Sequence, residues 1–399
     1  MENIDKNLCC GCNACIAICP KKAIKMELDE YNNEYPVVDK KKCINCNLCS
    51  RVCAYKNKET SNNVLKTYAS ACKNDNLLRN SSSGGVFIAI ATDFIDKNGI
   101  VYGCSMENEN NIITPKHIRV DKKDDLFKLQ GSKYAKSVVD SLYTNIKDDL
   151  SNNKKVLFSG TPCQVHALIS FLELTKTKID NLFTIDIICH GTPSTKMFQD
   201  YIKELEKKKN KRIINFKFRD KKYSWGLLGT IFYDDNTTSP LYITESSYYH
   251  LFLEGKTYRE NCYTCKYASK NRVGDITIGD YWGIDEEHPE LLLSNGGNLD
   301  LKKGVSCILV NSKKGEYIVK EFGKELIINE SEFEKVSKNN QQLKKPVSFP
   351  GERETILEEY KKKGYKGIDN YYKKKCGFKR FLYPIYHKVK EVIIFLKNN

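Results

Sequence analysis

The sequence of 399 residues contains no run of 18 consecutive apolar residues, so no segment reads as a bilayer-spanning helix. Its opening, MENIDKN, is polar and acidic and lacks the pattern of a secretory signal. These two absences predict a soluble, cytoplasmic protein. The glycine-bearing loops match neither G-x-G-x-x-G nor G-x-x-x-x-G-K-[ST], so neither phosphate-binding fingerprint is present in them. Broad disorder is excluded as well. Apolar residues make up 40% and charged residues 29% of the chain, which suits ordinary cores. The length allows about two to three domains at roughly 150 residues each.

What the chain has in excess is cysteine, seventeen in all, nine of them within the first 53 residues. In a reducing compartment such density points to metal or catalysis and not to disulfides. The chain is also basic, at +15 with every thiol counted as neutral. Thiolates engaged as metal ligands would be negative, so the metal-loaded chain would be less basic than this count. The lysines are interspersed with Asp and Glu, and no nucleic-acid partner is expected.

The first cysteines fall at Cys9, Cys12, Cys15 and Cys19, the last followed by Pro20. This is the C-x2-C-x2-C-x3-C-P run of bacterial ferredoxins. It recurs 34 residues later at Cys43, Cys46, Cys49 and Cys53, with Ala54 in place of the proline. Three closely spaced thiolates wrap one cubane, and the fourth reaches across to the other. Cluster one is therefore assigned to Cys9, Cys12, Cys15 and Cys53. Cluster two takes Cys43, Cys46, Cys49 and Cys19. A zinc module is the alternative, but two four-cysteine runs suit two cubanes better. Cys10 stands outside the pattern and reads as a small buried residue. The chemistry implied is one-electron relay.

After a linker, ETSNNVL, strand-like and helix-like segments alternate, which predicts an α/β or α+β domain. SSSGGVFIAIATDFIDKNG reads as a capped helix and GIVYGCSM as a strand. KKVLFSGTPCQVHALISFL reads as strand, turn and helix, and LFTIDIICHGTPSTKMFQDYIKELEKK repeats that grammar. Glycines open three expected helices, at Ser83-Gly84-Gly85, Gly131-Ser132-Lys133 and Gly160-Thr161-Pro162. Free N–H groups at helix starts hold phosphate well. Equally, glycine simply permits a turn.

Cys163 and Cys189 each follow an apolar strand, where parallel sheets place their ligands. Cys262 and Cys265 form a third C-x2-C. Together they make a plausible four-thiolate site. A hydrolase nucleophile at Cys163 is the rival reading, since a helix start lowers a thiol pKa. Against it, no separate orienting Asn or Asp motif is present.

SSSGGVF, LQGSKYAKS, SGTPCQVHAL, IICHGTPS, FRDKKYSWG and CYTCKYASKNRVGDITIGDYWG resemble the beta subunit family of coenzyme F-420-reducing hydrogenases and dehydrogenases. Formate dehydrogenase beta subunits and ferredoxin-dependent chlorophyll-pigment reductases are related members. The resemblance spans roughly residues 65 to 345. It implies a flavin, usually FAD, beside a third 4Fe–4S cluster on Cys163, Cys189, Cys262 and Cys265. The flavin loops would be Ser83, Gly84, Gly85 and the stretch Gly131, Ser132, Lys133 and Tyr134. Gly279 and Asp280 would lie near flavin or substrate. Lys133 would pair with a flavin phosphate or substrate anion, or be a solvated surface lysine. His166 and His190 would hydrogen-bond cluster sulfurs or move protons, or be structural.

The expected architecture is a dicluster ferredoxin domain over 1–60, a larger mixed α/β flavin and iron–sulfur domain over 65–345, and a helical C-terminal segment over 346–399. Residues 352–375 read as a charged helix followed by a Tyr/Lys-rich surface segment. Within FKRFLYPIYHKVKEVIIFLKNN, Phe378, Phe381, Leu382, Ile385, Val389, Val392, Ile393 and Leu396 follow helical spacing opposite a basic face. Such a helix packs on its own domain, docks on a partner, or touches a membrane surface; Pro384 interrupts it. The expected function is an iron–sulfur flavoprotein oxidoreductase, serving a redox partner protein or ferredoxin on one side and a small-molecule acceptor on the other. A flavin-free electron-transfer subunit is the alternative. Cys72, Cys104, Cys307 and Cys376 lack partner spacing and are assigned structural roles.

Overall fold

The structure is a computed structural model and describes residues 5, 7–56, 62–139, 141–222 and 225–377. The amphipathic stretch from Phe378 to Leu396 therefore lies outside the described residues.

In the N-terminal segment, strands β1 (Ile24–Leu28) and β2 (Glu34–Val38) form an antiparallel hairpin. Short helices Ala14–Ala17 and Leu48–Arg51 each start from an asparagine in the left-handed region, Asn13 at φ 63° and Asn47 at φ 57°. Two residues earlier, Gly11 and Asn45 are left-handed too, at φ 62° and 52°. Both pairs are 34 residues apart, so the sequence repeat is also a repeat of backbone conformation. Glycine and asparagine tolerate this region best. Two such residues per run give both loops the same tight path.

The remaining strands are β3 (Lys66–Cys72), β4 (Ile100–Glu109), β5 (Ile112–Val120), β6 (Val156–Gly160), β7 (Leu182–Ile187), β8 (Ile213–Lys217), β9 (Gly229–Tyr233), β10 (Thr238–Leu241), β11 (Ile276–Asp280), β12 (Ser306–Val310) and β13 (Leu326–Ser331). Eight of them form one mixed sheet in the order β13-β3-β12-β11-β7-β6-β4-β5. Its four central strands, β11, β7, β6 and β4, run parallel, and antiparallel strands flank them. The fold is thus mixed α/β, as expected. Strands β8, β9 and β10 form a separate antiparallel sheet.

The sheet is covered on both faces, and its side chains alternate between them. Val101, Leu157 and Phe183 pack with helix Val86–Asp96 and helix Lys313–Phe322. Their neighbours Ile100, Tyr102, Val156, Phe158 and Leu182 pack on the opposite face with helices Leu142–Ser151 and Pro162–Leu174. The ferredoxin residues Ala14, Ile24, Val52 and Ala54 join that second cluster. The iron–sulfur segment is therefore built onto the sheet's own core.

Two expectations about helices change. The Gly131 loop opens no helix. Gly131 is left-handed at φ 83°, and the next helix begins only at Leu142. The Tyr/Lys-rich segment is not a surface strip. Helices Arg353–Lys363 and Tyr365–Cys376 bury Ile356, Leu357, Tyr360, Tyr365, Ile368 and Tyr372. Most of these pack in one aromatic cluster with Phe198, Phe216, Phe218 and Tyr248. Among the described residues, no helix is long and apolar enough to cross a membrane.

Candidate functional site

Parallel strands β6 and β7 lie side by side, with Gly160 opposite Asp186. Their carboxyl ends therefore open at the same edge, where ligands of parallel sheets sit. Thr161 caps helix Pro162–Leu174 through a reciprocal box with Gln164, and Pro162 fixes the first turn. Cys163 is thereby fixed on that first turn, one strand away from the chain leaving β7 toward Cys189.

The segment after β7 runs beside the third cysteine pair. Arg259 N–H donates to the Thr192 carbonyl at 3.1 Å. Gly191, at φ 139°, lets the two chains touch, because a Cβ there would come within 2.2 Å of the Tyr258 ring. Cys262 and Cys265 flank this contact on and after helix Glu260–Tyr263. Asp186, at the end of β7, anchors the same loop. Its carboxylate accepts from Arg272 Nη2 at 2.8 Å and from the backbone N–H groups of Val273 and Gly274. Both members of this ion pair are buried.

The four thiols lie within electrostatic reach of one another. Burial raises the pKa of Cys189 most, and Cys262, Cys163 and Cys265 each add to it. Burial likewise raises Cys265, with Cys163 adding to it, and pushes Cys262 up to about 12. Buried thiols of this kind become thiolates only with cationic compensation, which bound iron supplies. Among the described residues, no three Cys, His, Asp or Glu side chains converge closely enough for a single ion. The four side chains are all thiols, the donor type that a 4Fe–4S cluster takes.

In the ferredoxin segment, Cys15 is raised by burial and then electrostatically by Cys12, Cys9, Cys53 and Cys49. Cys49 and Cys53 of the second run therefore lie within electrostatic reach of the first. Cys19, of the other set, accepts from the Ala23 N–H at 3.3 Å. Cys43, Cys46 and Cys49 line the second loop, where Cys46 is exposed.

Cluster one's loop sits directly against the third thiol set. Tyr143 Oη donates to the Cys12 carbonyl at 2.6 Å, and Arg259 Nη2 donates to the Cys9 and Glu34 carbonyls. Tyr55 Oη lies 3.7 Å from Cys265 Sγ and accepts from Asn261 Nδ2 at 3.1 Å. Cys10 lies between the two sites. Hydrogen bonds to Cys12 and Cys163, together with burial, hold its pKa well above the ordinary thiol range. The same bonds lower Cys12, to about 7, and Cys163. Read from sequence as a small buried residue, Cys10 is the nearest link between the first and third sites.

A cavity of about 480 Å³ opens from these cysteines along the strand ends. Cys10, Cys12, Cys163, Cys189, Cys262 and Cys265 line it. Ser83, Gly85, Gly131, Ser132, Lys133 and Tyr134 line it too, so both glycine loops border the same space. They are bonded to each other through Ser132 N–H and Ser82 Oγ at 2.8 Å. Gly85, left-handed at φ 74°, starts helix Val86–Asp96 without a side-chain cap. Val86, Phe87 and Ile88 also line the cavity, so an uncapped helix start faces it. A Cβ on Gly131 would meet nothing within 4 Å. This combination fits a phosphate-bearing planar cofactor such as a flavin.

Gly84 behaves differently from its neighbours. Its N–H donates to Ser306 Oγ, and a Cβ would fall 2.4 Å from the Ser70 carbonyl oxygen. It lets the loop press on the sheet and does not line the cavity. Lys133 lines the cavity, but its Nζ donates to the carbonyls of Lys128, Leu129 and Gln130. Burial lowers its pKa to about 8. All three of its donors are used within the loop, so the ammonium is a loop clasp and the phosphate-pairing role loses its donor.

Gly279 and Asp280, at the end of β11, line the cavity as well. Asp280 accepts two bonds from Arg219, at 2.6 and 3.0 Å, and one from Trp225 Nε1 at 2.9 Å. Trp225 stacks on Trp282, with centroids 4.8 Å apart. The carboxylate thus organises a cation and two indoles beside the cavity. Arg219 carries no mark of its own in the sequence, although it lies within FRDKKYSWG.

The imidazoles differ in placement. His166 Nδ1 bonds Tyr267 Oη at 2.8 Å and does not line the cavity, and burial lowers its pKa to about 4. His190 does line it. His117, unmarked in the sequence, is buried there too. Its Nε2 donates to the Ser159 carbonyl at 3.1 Å, so Nδ1 accepts from Ser137 Oγ at 2.9 Å. Burial lowers its pKa to about 4. Cys163 Sγ contacts Thr161 Oγ1 at 3.2 Å and Cys10, an arrangement unlike a nucleophile with its base. Of the cysteines assigned structural roles, Cys104 lines the cavity.

The fold and site define an iron–sulfur electron-transfer protein. Residues 8–57 match the family model of the 4Fe–4S dicluster domain. Residues 153–336 match the family model for the C terminus of the coenzyme F420 hydrogenase/dehydrogenase beta subunit. The chain carries both domains and is related to F420 hydrogenase beta subunits. It is 24% identical over 346 residues to an uncharacterised protein of Methanocaldococcus jannaschii, covering 78% of this chain and 86% of that one. It is also similar to a chain in the xenon-derivatised F420-reducing [NiFe] hydrogenase complex from Methanosarcina barkeri, at 15% identity and a TM-score of 0.44. That likeness covers 77% of this chain and 91% of the other.

Proposed function

We propose that this chain is an iron–sulfur flavoprotein oxidoreductase exchanging electrons between a protein redox partner and a small organic acceptor. One observation carries the reading. Cys163, Cys189, Cys262 and Cys265 all line one cavity, and Cys10–Cys12 and the Gly85 and Gly131 loops line the same space. Cys9, Cys12, Cys15 and Cys53 would hold one 4Fe–4S cluster, and Cys43, Cys46, Cys49 and Cys19 a second. Cys163, Cys189, Cys262 and Cys265 would hold a third. Ser83, Gly85, Gly131, Ser132 and Tyr134 would hold FAD, with its phosphates toward the helix start at Val86. Bound there, the clusters would supply one-electron steps and the flavin two-electron exchange with an acceptor.

The chain's own residues position and insulate these groups. Asp186 and Arg272 fix the Cys262–Cys265 loop against β7. Arg219, aligned by Asp280, offers a buried cation where an anionic acceptor would sit. The domain limits 1–60 and 65–345 form part of this proposal. Anaerobic purification with iron and flavin analysis tests it. About twelve irons and one flavin per chain are expected. About eight irons with no flavin would reduce the chain to a two-cluster relay.

A further inference from the structure

The two ferredoxin runs are alike in backbone but not in surroundings. Cys10 of the first run lies against Cys163. Its counterpart 34 residues later, Ile44, is 55% exposed. Cys12 is half-buried, whereas its counterpart Cys46 is exposed. The first loop is therefore turned into the molecule and the second toward solvent.

Around the outward loop most of the charge is positive. Lys40, Lys41 and Lys42 immediately precede Cys43, and Lys21 and Lys22 follow Pro20. The hairpin brings the two groups together. Ile24 pairs with Val38, and the ladder continues through Asp39 N–H to the Ala23 carbonyl at 2.7 Å. The next positions out are Lys22 and Lys40, then Lys21 and Lys41. Lys21, Lys22, Lys41 and Lys42 are all exposed. Between residues 39 and 51 the sequence has one carboxylate, Asp39; it accepts from the Lys41 N–H at 3.0 Å and pairs with Lys42 Nζ at 3.8 Å, an exposed contact that leaves the loop net positive.

An exposed apolar residue ringed by cations has the anatomy of a transient interface, with an apolar centre and a charged rim. The geometry points to a docking face for a small acidic 4Fe–4S ferredoxin, centred on Ile44 and Cys46 and steered by Lys21, Lys22, Lys41 and Lys42. The inference rests on the proposed function, since it takes Cys43, Cys46, Cys49 and Cys19 to hold a cluster. The step transfers one electron from the carrier's reduced cluster, which is oxidised, to the chain's outer cluster, which is reduced. No bond or proton changes place. Complementary charge acts mainly on the encounter rate, and salt screens it over about 8–10 Å.

The test uses the full chain with its iron and a purified acidic 4Fe–4S ferredoxin, reduced and mixed in stopped flow. Lys21→Glu/Lys22→Glu/Lys41→Glu/Lys42→Glu should slow electron uptake about tenfold or more at low salt, with the gap closing at high salt. Ile44→Glu should slow it at all salt concentrations. Lys209→Glu/Lys320→Glu, elsewhere on the surface, should leave the rate unchanged. Iron content and the dithionite end point are read alongside. If the variants keep their iron and end point and the ferredoxin rate is unchanged, the docking face is wrong. If wild type itself lacks iron on the second run, the proposed function fails instead.

Discussion

Arg259 shows how a single residue can set the electrostatics between two groups of thiols. It is 1% exposed, and its Nε and Nη1 have no hydrogen-bond partner. Its guanidinium packs over Tyr35 and, for both Cys9 and Cys262, offsets part of the rise in pKa that burial causes. Gly11 leaves room beside it for Lys136, since a Cβ there would fall 2.6 Å from Lys136 Cε. Buried N–H donors without partners are costly unless something accepts from them, and cluster sulfurs would. A cation so placed favours the more negative, reduced state. Arg259→Gln is expected to lower a cluster potential, cutting the reduced fraction at fixed poise by about tenfold, or about 59 mV for one electron. Arg259→Lys should retain most of the potential. Redox titration followed by electron paramagnetic resonance reads both, and equal potentials in all three proteins would show that the charge is not felt.

At the scale of elements, the site depends on what holds the Cys262–Cys265 loop to the end of β7. Asp186 satisfies one arginine and two backbone donors while fully buried. Removing one partner of such a pair strands the other charge, at about 3–5 kcal/mol. Asp186→Asn should lower urea-unfolding stability by that order and release iron from the third site before the ferredoxin sites. A change under about 1 kcal/mol would place the anchoring elsewhere. Much of this level is legible in the sequence. Local spacing encodes the two ferredoxin runs, and an apolar strand followed by a turn marks Cys163. The Gly131 loop departs from expectation because glycine signals a left-handed turn without saying whether a helix follows. Cys10, Arg219, Arg259 and His117 give no clear local sign. Their roles come from which distant segments the sheet brings together.

For the whole molecule, pH dependence follows from two buried imidazoles. His117 and His166 both have pKa values lowered to about 4 by burial, against an ordinary value near 6.5. Between those values the unfolded chain binds more protons than the folded one. Stability from this source is therefore complete above about pH 6.5 and falls as pH drops toward 4. The urea midpoint should decline from pH 7.5 to 5.5, and His117→Gln should flatten the slope. A midpoint independent of pH over that range would mean that the rings are not held neutral.

The broader architecture places an outward ferredoxin loop, an inward loop, a third thiol set and a cavity in sequence. Its centre is the third set, and Cys163 is the corner reached most directly. The decisive measurement is iron per chain in anaerobically purified Cys163→Ser beside wild type. The account predicts about eight irons against about twelve. A variant that keeps all twelve would contradict it.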